Sequence, residues 1–361
     1  MKHYQLLLGA LLFCVYSGSA QSSPTIWFEE AAKTWEETFP LGNGRLGMTP
    51  DSGVSEERIF LNDITLWSGQ PQDANNYSAN DYLPKIRALL LDGKNAQAEQ
   101  LVNQHFVCEG PGSGSGNGAK VPFGCYQVMG QLDLQFEYAS KNPVIRNYKR
   151  VLNISEAIAT CTYDIDDTHY TREYFSSFDD DINIIKLTAQ GSARLNFSVQ
   201  LTRPERSHTF TTHNYLIMEG QLDNGTDGKG MKYQAKVAAK VTNGKLKFKD
   251  GKMHIQNANE VILYISAATD FREDEYTNRV EHIMEKAQRK SFAEQKVSHI
   301  KNYQNLFNRV ELDLGKTAKP ELPINERLKA YIDAPEQDTG LADLFFQFGR
   351  YLSVSSIRPG L

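Results

Sequence analysis

LDLQFEY (132–138), IATCTYDI (158–165), HYTREYFSS (169–177), INIIKLTA (182–189) and RLNFSVQL (194–201) alternate apolar and polar side chains at a period of two. The rhythm continues through NYLIMEGQL (214–222), KYQAKVAAKV (232–241), KLKFKD (245–250), KMHIQN (252–257) and VILYISAAT (261–269). Successive side chains of a strand point to opposite faces, so this is the period of half-buried β-strands. Turn signals separate the runs: Asp166-Asp167, Gln190-Gly191, Asn224-Gly225, Asn243-Gly244 and Asp250-Gly251. No strand–helix alternation and no Gly-rich phosphate loop interrupts them. The pattern predicts an antiparallel β-sandwich rather than a parallel sheet.

Beyond Asp270 the period lengthens to that of a helix. TNRVEHIMEKAQRKSF (277–292) sets Val280, Ile283, Met284 and Ala287 on one face. AEQKVSHIKNYQNLFNRV (293–310) does the same with Val297, Ile300, Tyr303, Leu306 and Phe307. A short strand is expected at VELDLG (310–315), then a Pro-rich link at KPELP (319–323). The last helix, LADLFFQFGRYLSVSS (341–356), aligns Leu341, Leu344, Phe345, Phe348, Leu352 and Ser355. It is apolar around much of its circumference, so it should lie buried between partners. Upstream, Thr25 to Phe39 reads as extended segments with one packed face. Leu83, Ile86, Leu90 and Leu91, then Ala98, Leu101 and Val102, mark two helices inserted between strands at about 80–107.

The first 20 residues read as a secretory leader: Lys2, an apolar run from Leu6 to Tyr16, and small residues Gly18-Ser19-Ala20 before cleavage. The run is too short to span a bilayer, so a secreted or periplasmic protein without a membrane span is expected. With 39 basic and 44 acidic residues and a net charge of −5, nucleic acid is not an expected partner. After cleavage Cys108, Cys125 and Cys161 remain. Cys108 and Cys125 flank a Gly-rich loop that a disulfide would close, with a gain of about 3 kcal/mol; export permits the bridge, and free thiols are the alternative. Cys161, inside a strand, reads as a buried free thiol. His208 and His213 lack further ligands nearby, so no metal site is expected.

Chemistry is hard to place on these residues. The adjacent acids Glu29-Glu30, Glu36-Glu37, Glu56-Glu57 and Asp179-Asp180-Asp181 would point to opposite faces of a strand and cannot flank one bond, so they read as solvated charge. Asp51, Asp63 and Asp270 stand in predicted loops with no evident partner. No Gly-x-Ser-x-Gly elbow is present. The block FPLGNGRLGMTPDSGVSEERIFLNDITLWSGQP (39–71) is richer. Gly42 and Gly44 around Asn43 allow a tight turn with positive φ, and Arg45 is positioned to pair with Glu56 or Glu57 across a hairpin. Asn62, Thr65 and Trp67 combine polar groups with an aromatic ring, the mixture that hydrogen-bonds sugar hydroxyls and stacks on a pyranose. They are the candidate substrate-cleft residues; the competing reading of Trp67 is a packing residue at a domain junction.

PLGNGRLG (40–47), EERIFLNDITLWSG (56–69), LPKIRALLLDGKNAQAEQL (83–101), YTREYFSS (170–177), LFNRVELDLG (306–315) and FQFGRYLSVSSIRPG (346–360) occur in an order that resembles glycoside hydrolase family 95, the α-L-fucosidase family. The resemblance covers essentially everything after the leader. It implies a mainly β chain with added helices: an N-terminal sandwich (21–272), a helical linker (273–335) and the first helix of a truncated six-fold (α/α) barrel (336–361). It implies an inverting exo-glycosidase without cofactor, acting on terminal α-L-fucosyl or α-L-galactosyl residues of oligo- or polysaccharides. Inversion needs a protonated carboxyl and an activated water, about 6.5–9.5 Å between the carboxyl groups. The family's Glu, Asn and Asp for these tasks map to none of the residues here, so this chain alone is expected to be catalytically incompetent, its partner the remaining barrel. The alternative is a non-catalytic carbohydrate-binding β-sandwich. That would need an exposed aromatic row, whereas the 17 Tyr and 18 Phe mostly alternate like core residues.

Overall fold

The computed structural model of the protein describes residues 24–71, 73–109, 124–272, 275–315 and 321–358; the expected leader and most of the Gly-rich loop lie outside them. In chain order, β1 (Thr25–Phe28), β2 (Leu41–Gly42), β3 (Leu46–Pro50) and β4 (Glu56–Asp63) precede α1 (Leu83–Leu91) and α2 (Asn95–His105). Then come β5 (Gly130–Phe136), β6 (Ile145–Asn153), β7 (Ile158–Ile165), β8 (Thr168–Ser176), β9 (Asn183–Gln190) and β10 (Leu195–Thr202). They are followed by β11 (His208–Thr211), β12 (Leu216–Gln221), β13 (Lys232–Thr242), β14 (Lys245–Lys249), β15 (Lys252–Ala258) and β16 (Glu260–Thr269). Helices α3 (Tyr276–Gln288), α4 (Phe292–Phe307), α5 (Ile324–Asp333) and α6 (Thr339–Ser356) come last.

The strands form two antiparallel sheets. The larger has nine strands in the order β1-β6-β7-β8-β9-β16-β13-β12-β11, the smaller seven in the order β14-β15-β10-β5-β4-β3-β2. Alternation decides which side chains meet between them. Ile59, Leu61, Leu132, Leu134, Phe197 and Val199 from the smaller sheet pack against Cys161, Tyr174, Ile185, Leu187, Leu263 and Ile265 from the larger. All of these are buried, and each fully buried Leu or Ile stabilises by about 1.5–3 kcal/mol. β16 breaks the alternation because both its faces are covered. On the outside, Ile262 and Tyr264 join Ile184, Ala238 and the α3 residues Ile283, Met284 and Ala287 in a second cluster.

Each alternating run became a strand, and α3 buries the predicted face, Val280, Ile283, Met284 and Ala287. Other expectations need correction. The buried face of α4 is Gln295, His299, Tyr303 and Phe307, whereas Val297 is 66% exposed. Polar residues occupy it because backbone carbonyls of α3 and of the sandwich accept their hydrogen bonds: Gln295 Nε2 donates to Ala287 O at the end of α3 (3.1 Å), while on the sandwich His299 Nε2 meets Glu156 O (3.0 Å) and Tyr303 Oη donates to Ile154 O (2.7 Å). On α6 the buried stripe runs Leu341, Leu344, Gln347, Tyr351 and Ser355, and Phe345 stands 78% exposed. The VELDLG segment is not a strand: Leu314 N donates instead to the Asp343 carboxylate (3.2 Å). α5 was not anticipated. It is held by a two-pronged pair from Arg327 to Asp338 (2.6 and 2.7 Å), and Asp338 also caps α6 by accepting from Leu341 N (3.1 Å).

Candidate functional site

The Gly-Asn-Gly-Arg turn between β2 and β3 forms the most highly connected polar cluster near the candidate residues. Asn43 is fully buried; its Oδ1 accepts from Arg45 N (3.0 Å) and Leu46 N (2.9 Å), which folds the turn. Its Nδ2 donates to Ser177 O (2.8 Å) and Asp181 Oδ1 (3.2 Å). Gly44 has φ +85°, and its N–H donates to Ser355 O at the end of α6 (2.8 Å). A Cβ on Gly44 would lie 2.7 Å from Ile357 C, and one on Gly42 would lie 2.6 Å from Ser355 O. Both glycines are therefore needed for the close approach of α6. Tyr351 Oη, donating to Pro40 O, seals the same contact.

Arg45 lies at the centre. Its Nη1 donates to Asp63 Oδ2 and to Ala267 O (2.7 Å each), and its Nε to Asp181 Oδ2 (2.7 Å). Asp181 is held in a left-handed conformation (φ +56°) and also receives Arg358 Nη1 (2.9 Å). Asp63 accepts in turn from Thr65 N (2.9 Å) and Thr65 Oγ1 (2.6 Å), and Thr65 Oγ1 lies 2.7 Å from Thr269 Oγ1. The cluster thus joins the β2–β3 turn, the end of β4, the β8–β9 connection, the end of β16 and the residues after α6. This corrects the expected pairing of Arg45 with Glu56 or Glu57. It also corrects the reading of Asp63 as unpartnered and of the Asp179–Asp181 run as solvated, since Asp180 is 2% exposed. Asp51 too has partners: its Oδ1 accepts from Gly53 N (3.0 Å) and Arg58 N (3.1 Å).

Glu57 sits elsewhere, fully buried between the sheets, where Arg172 Nη1 (2.8 Å) and Tyr174 Oη (2.7 Å) donate to it. Burial pushes its carboxyl above the usual range, while Arg172 and Tyr174 pull it back. A raised carboxyl is what a general acid needs, but no substrate oxygen reaches a group sealed in a sandwich core.

Of the candidate cleft residues, the fold joins Thr65 and Trp67 on one turn and separates Asn62. Asn62 precedes Asp63 on β4 and therefore points to the opposite face, where its Oδ1 is buried without a partner. Trp67 is 47% exposed; its Nε1 donates to Ile64 O (3.1 Å), and its ring meets Tyr126 edge-on at 5.8 Å. Burial, with the charge of Asp63 adding, pushes the Tyr126 phenol up to about 12, so it stays protonated at neutral pH. Sequence reading missed Tyr126 because it follows the Gly-rich loop without a periodic pattern. It missed Asp181 and Arg358 because the contacts cross more than a hundred residues. Cys108 and Cys125 are free and exposed rather than bridged; Cys125 Sγ lies 3.2 Å from Gln127 Nε2 and 3.5 Å from Ser68 Oγ. Cys161 is the buried free thiol expected, with burial raising it to about 11. Among the described residues no His, Cys, Asp and Glu group could hold a metal, and no helix is long and apolar enough to cross a membrane.

Comparison with known proteins adds family information to this geometry. Residues 26–274 match the glycosyl hydrolase family 65 N-terminal domain, and residues 291–361 match the glycosyl hydrolase family 95 catalytic domain. Alpha-L-fucosidase 2 of Arabidopsis thaliana is 28% identical over 369 residues, covering 92% of this chain and 42% of the plant protein. Proteins named "Probable alpha-fucosidase A" from Aspergillus niger and Aspergillus oryzae are 28% and 24% identical, covering 89% and 94% of this chain. The chain spans 41% and 48% of their lengths, so less than half of each of these relatives.

Proposed function

Since the chain belongs to glycoside hydrolase family 95, of which it forms an N-terminal portion, we propose that it serves a secreted, inverting exo-glycosidase that releases terminal α-L-fucosyl residues from oligosaccharides. The observation that carries this reading is the docking of α6 onto the Gly-Asn-Gly turn. That helix falls within the part matched by the catalytic domain, and it is fastened to the sandwich by Gly44, Asp181 and Tyr351. Its other side presents Phe345, Phe346 and Leu352 outward, an apolar surface suited to further helices of a barrel. In this reading the sandwich is the platform that fixes the barrel's first helix, and the Trp67–Tyr126 pair walls one side of the sugar cleft. Residues 21–361 by themselves carry no turnover: Glu57 is sealed, and Asp63 and Asp181 are committed to arginines.

Two measurements test this. Residues 21–361 are assayed against an α-1,2-fucosylated oligosaccharide, where turnover comparable to that of a barrel-containing relative would refute the division of labour. In a barrel-containing form, Trp67→Ala is expected to lower kcat/KM by about tenfold, equivalent to losing one aromatic stacking contact of about 1.4 kcal/mol. Unchanged kcat/KM would return Trp67 to a packing role.

A further inference from the structure

Thr65 stands two residues before Trp67, and a hydroxyl beside an aromatic ring is a pairing that sugars favour. The structure commits that hydroxyl elsewhere. A hydroxyl has one proton and two lone pairs. Thr65 Oγ1 gives its proton to Asp63 Oδ1 (2.6 Å), and the same carboxylate oxygen accepts the Thr65 N–H (2.9 Å). Asp63 Oδ2 accepts from Arg45 Nη1 (2.7 Å). The 2.7 Å contact between the Thr65 and Thr269 hydroxyls must therefore be donated by Thr269, whose oxygen in turn accepts the Phe271 N–H (3.3 Å). The proton order runs from Phe271 N through Thr269 and Thr65 to Asp63. Both donors of Thr65 are used within the protein.

That chain shapes the turn which carries Trp67. Leu66 N donates to Asp63 O (3.1 Å), closing residues 63–66, and the Thr65 N–Asp63 Oδ1 bond pins the middle. Asp63 ends β4 of the smaller sheet and Thr269 ends β16 of the larger, so the hydroxyl pair ties the turn to both layers. Gln127 N to Leu66 O and Ser68 N to Cys125 O (3.0 Å each) hold Tyr126 opposite Trp67. Trp67 Nε1 is already given to Ile64 O (3.1 Å), so the exposed indole offers a face rather than a donor. A ring that binds through its face depends on its tilt matching the plane of the ligand.

We propose that Thr65 is a positioning residue of the sugar cleft: its hydroxyl, bridging Asp63 and Thr269, sets the tilt of Trp67 and does not itself bind the sugar. This rests on the reading that Trp67 walls the cleft.

Fluorine NMR of the present chain labelled with 5-fluorotryptophan reads the tilt directly. The chain has three tryptophans, and Trp67→Phe assigns the resonance of Trp67. Thr65→Val removes the hydroxyl at similar shape, and should move that resonance while leaving those of Trp27 and Trp35 in place. Thr65→Ser should restore it. An unmoved Trp67 resonance in Thr65→Val, or a Thr65→Ser resonance displaced as far, would overturn the proposal. Where Thr65→Val does not fold, Thr269→Val, which keeps the Thr65–Asp63 bond, must still move the resonance. In a barrel-containing form, Thr65→Val should lower kcat/KM about threefold, with rescue by Thr65→Ser, and the double variant with Trp67→Ala should match Trp67→Ala alone. A double variant about threefold worse than Trp67→Ala would make Thr65 a direct sugar ligand. Unchanged kcat/KM in Trp67→Ala, with the fluorine shift present, would instead sink the cleft reading and with it any use of Thr65 in turnover.

Discussion

Replacing Gly44 with Ala separates the effect of backbone strain from that of helix docking. At φ +85° an Ala carries a left-handed penalty of about 1–2 kcal/mol. Its Cβ would also sit 2.7 Å from Ile357 C and 2.8 Å from Arg358 N. Those are backbone atoms, which no side-chain rotation moves, so the segment after α6 must lift. Lifting breaks the Gly44 N–Ser355 O hydrogen bond, about 1 kcal/mol, and loosens Arg358 from Asp181, about another 1. The total is about 3–4 kcal/mol. Two controls divide that sum. Gly93 has φ +71° with nothing within 4 Å of its Cβ, so Gly93→Ala carries the strain alone. Gly42→Ala carries the collision with Ser355 O alone, about 2 kcal/mol. Any stiffening of the unfolded chain is common to all three and cancels. Urea unfolding at pH 7 measures the differences, and hydrogen exchange at residues 355–358 reports the lifting. If Gly44→Ala destabilises no more than Gly93→Ala, the turn is not the seat of α6.

Arg45→Ala leaves Asp63 and Asp181 facing each other's surroundings without their shared cation, and should destabilise by about 3–5 kcal/mol in the same urea assay; a loss below about 1 would make the cluster incidental. His299 is buried, which pushes its imidazole from 6.5 down to about 4. The unfolded chain therefore takes up a proton that the folded one refuses as pH falls below about 6.5, and stability declines by about 1.4 kcal/mol per unit until about pH 4; His299→Gln should flatten that slope, and an unchanged slope would assign it to other groups. Thiol titration should label Cys108 and Cys125 in the native protein and Cys161 only on unfolding. Native labelling of Cys161 would contradict its packing between the sheets.

What the sequence made legible followed from period and what it hid followed from distance. The alternating runs of β7, β8 and β10 could be read directly because each has one core face. β6, with the polar segment IRNYKRVLN and a register shift between Arg146 and Lys149, has no such signature and escaped notice. Helix faces were legible on α3, whose apolar residues coincide with its buried side, and misread on α4, where Gln295 is buried against a carbonyl of α3 and His299 against carbonyls of the sandwich. At the candidate site, Gly44 signalled its own turn, since only glycine takes that φ easily. The partners of Arg45 could not be read: Asp181 lies 136 residues away, and its two acidic neighbours made it look like ordinary surface charge. Trp67 was visible as an aromatic among polar residues, but its edge-on partner Tyr126 came from across the insertion.

The seal between Tyr351 and Pro40 spans 311 residues of chain. At a synthesis rate of about 5–20 residues per second, the Gly-Asn-Gly turn waits roughly 15–60 s on the ribosome for the helix that closes it. Strands β2 to β16 are all synthesised within that interval. Synthesis therefore has a built-in order: every residue of the platform is made before the helix that docks on it.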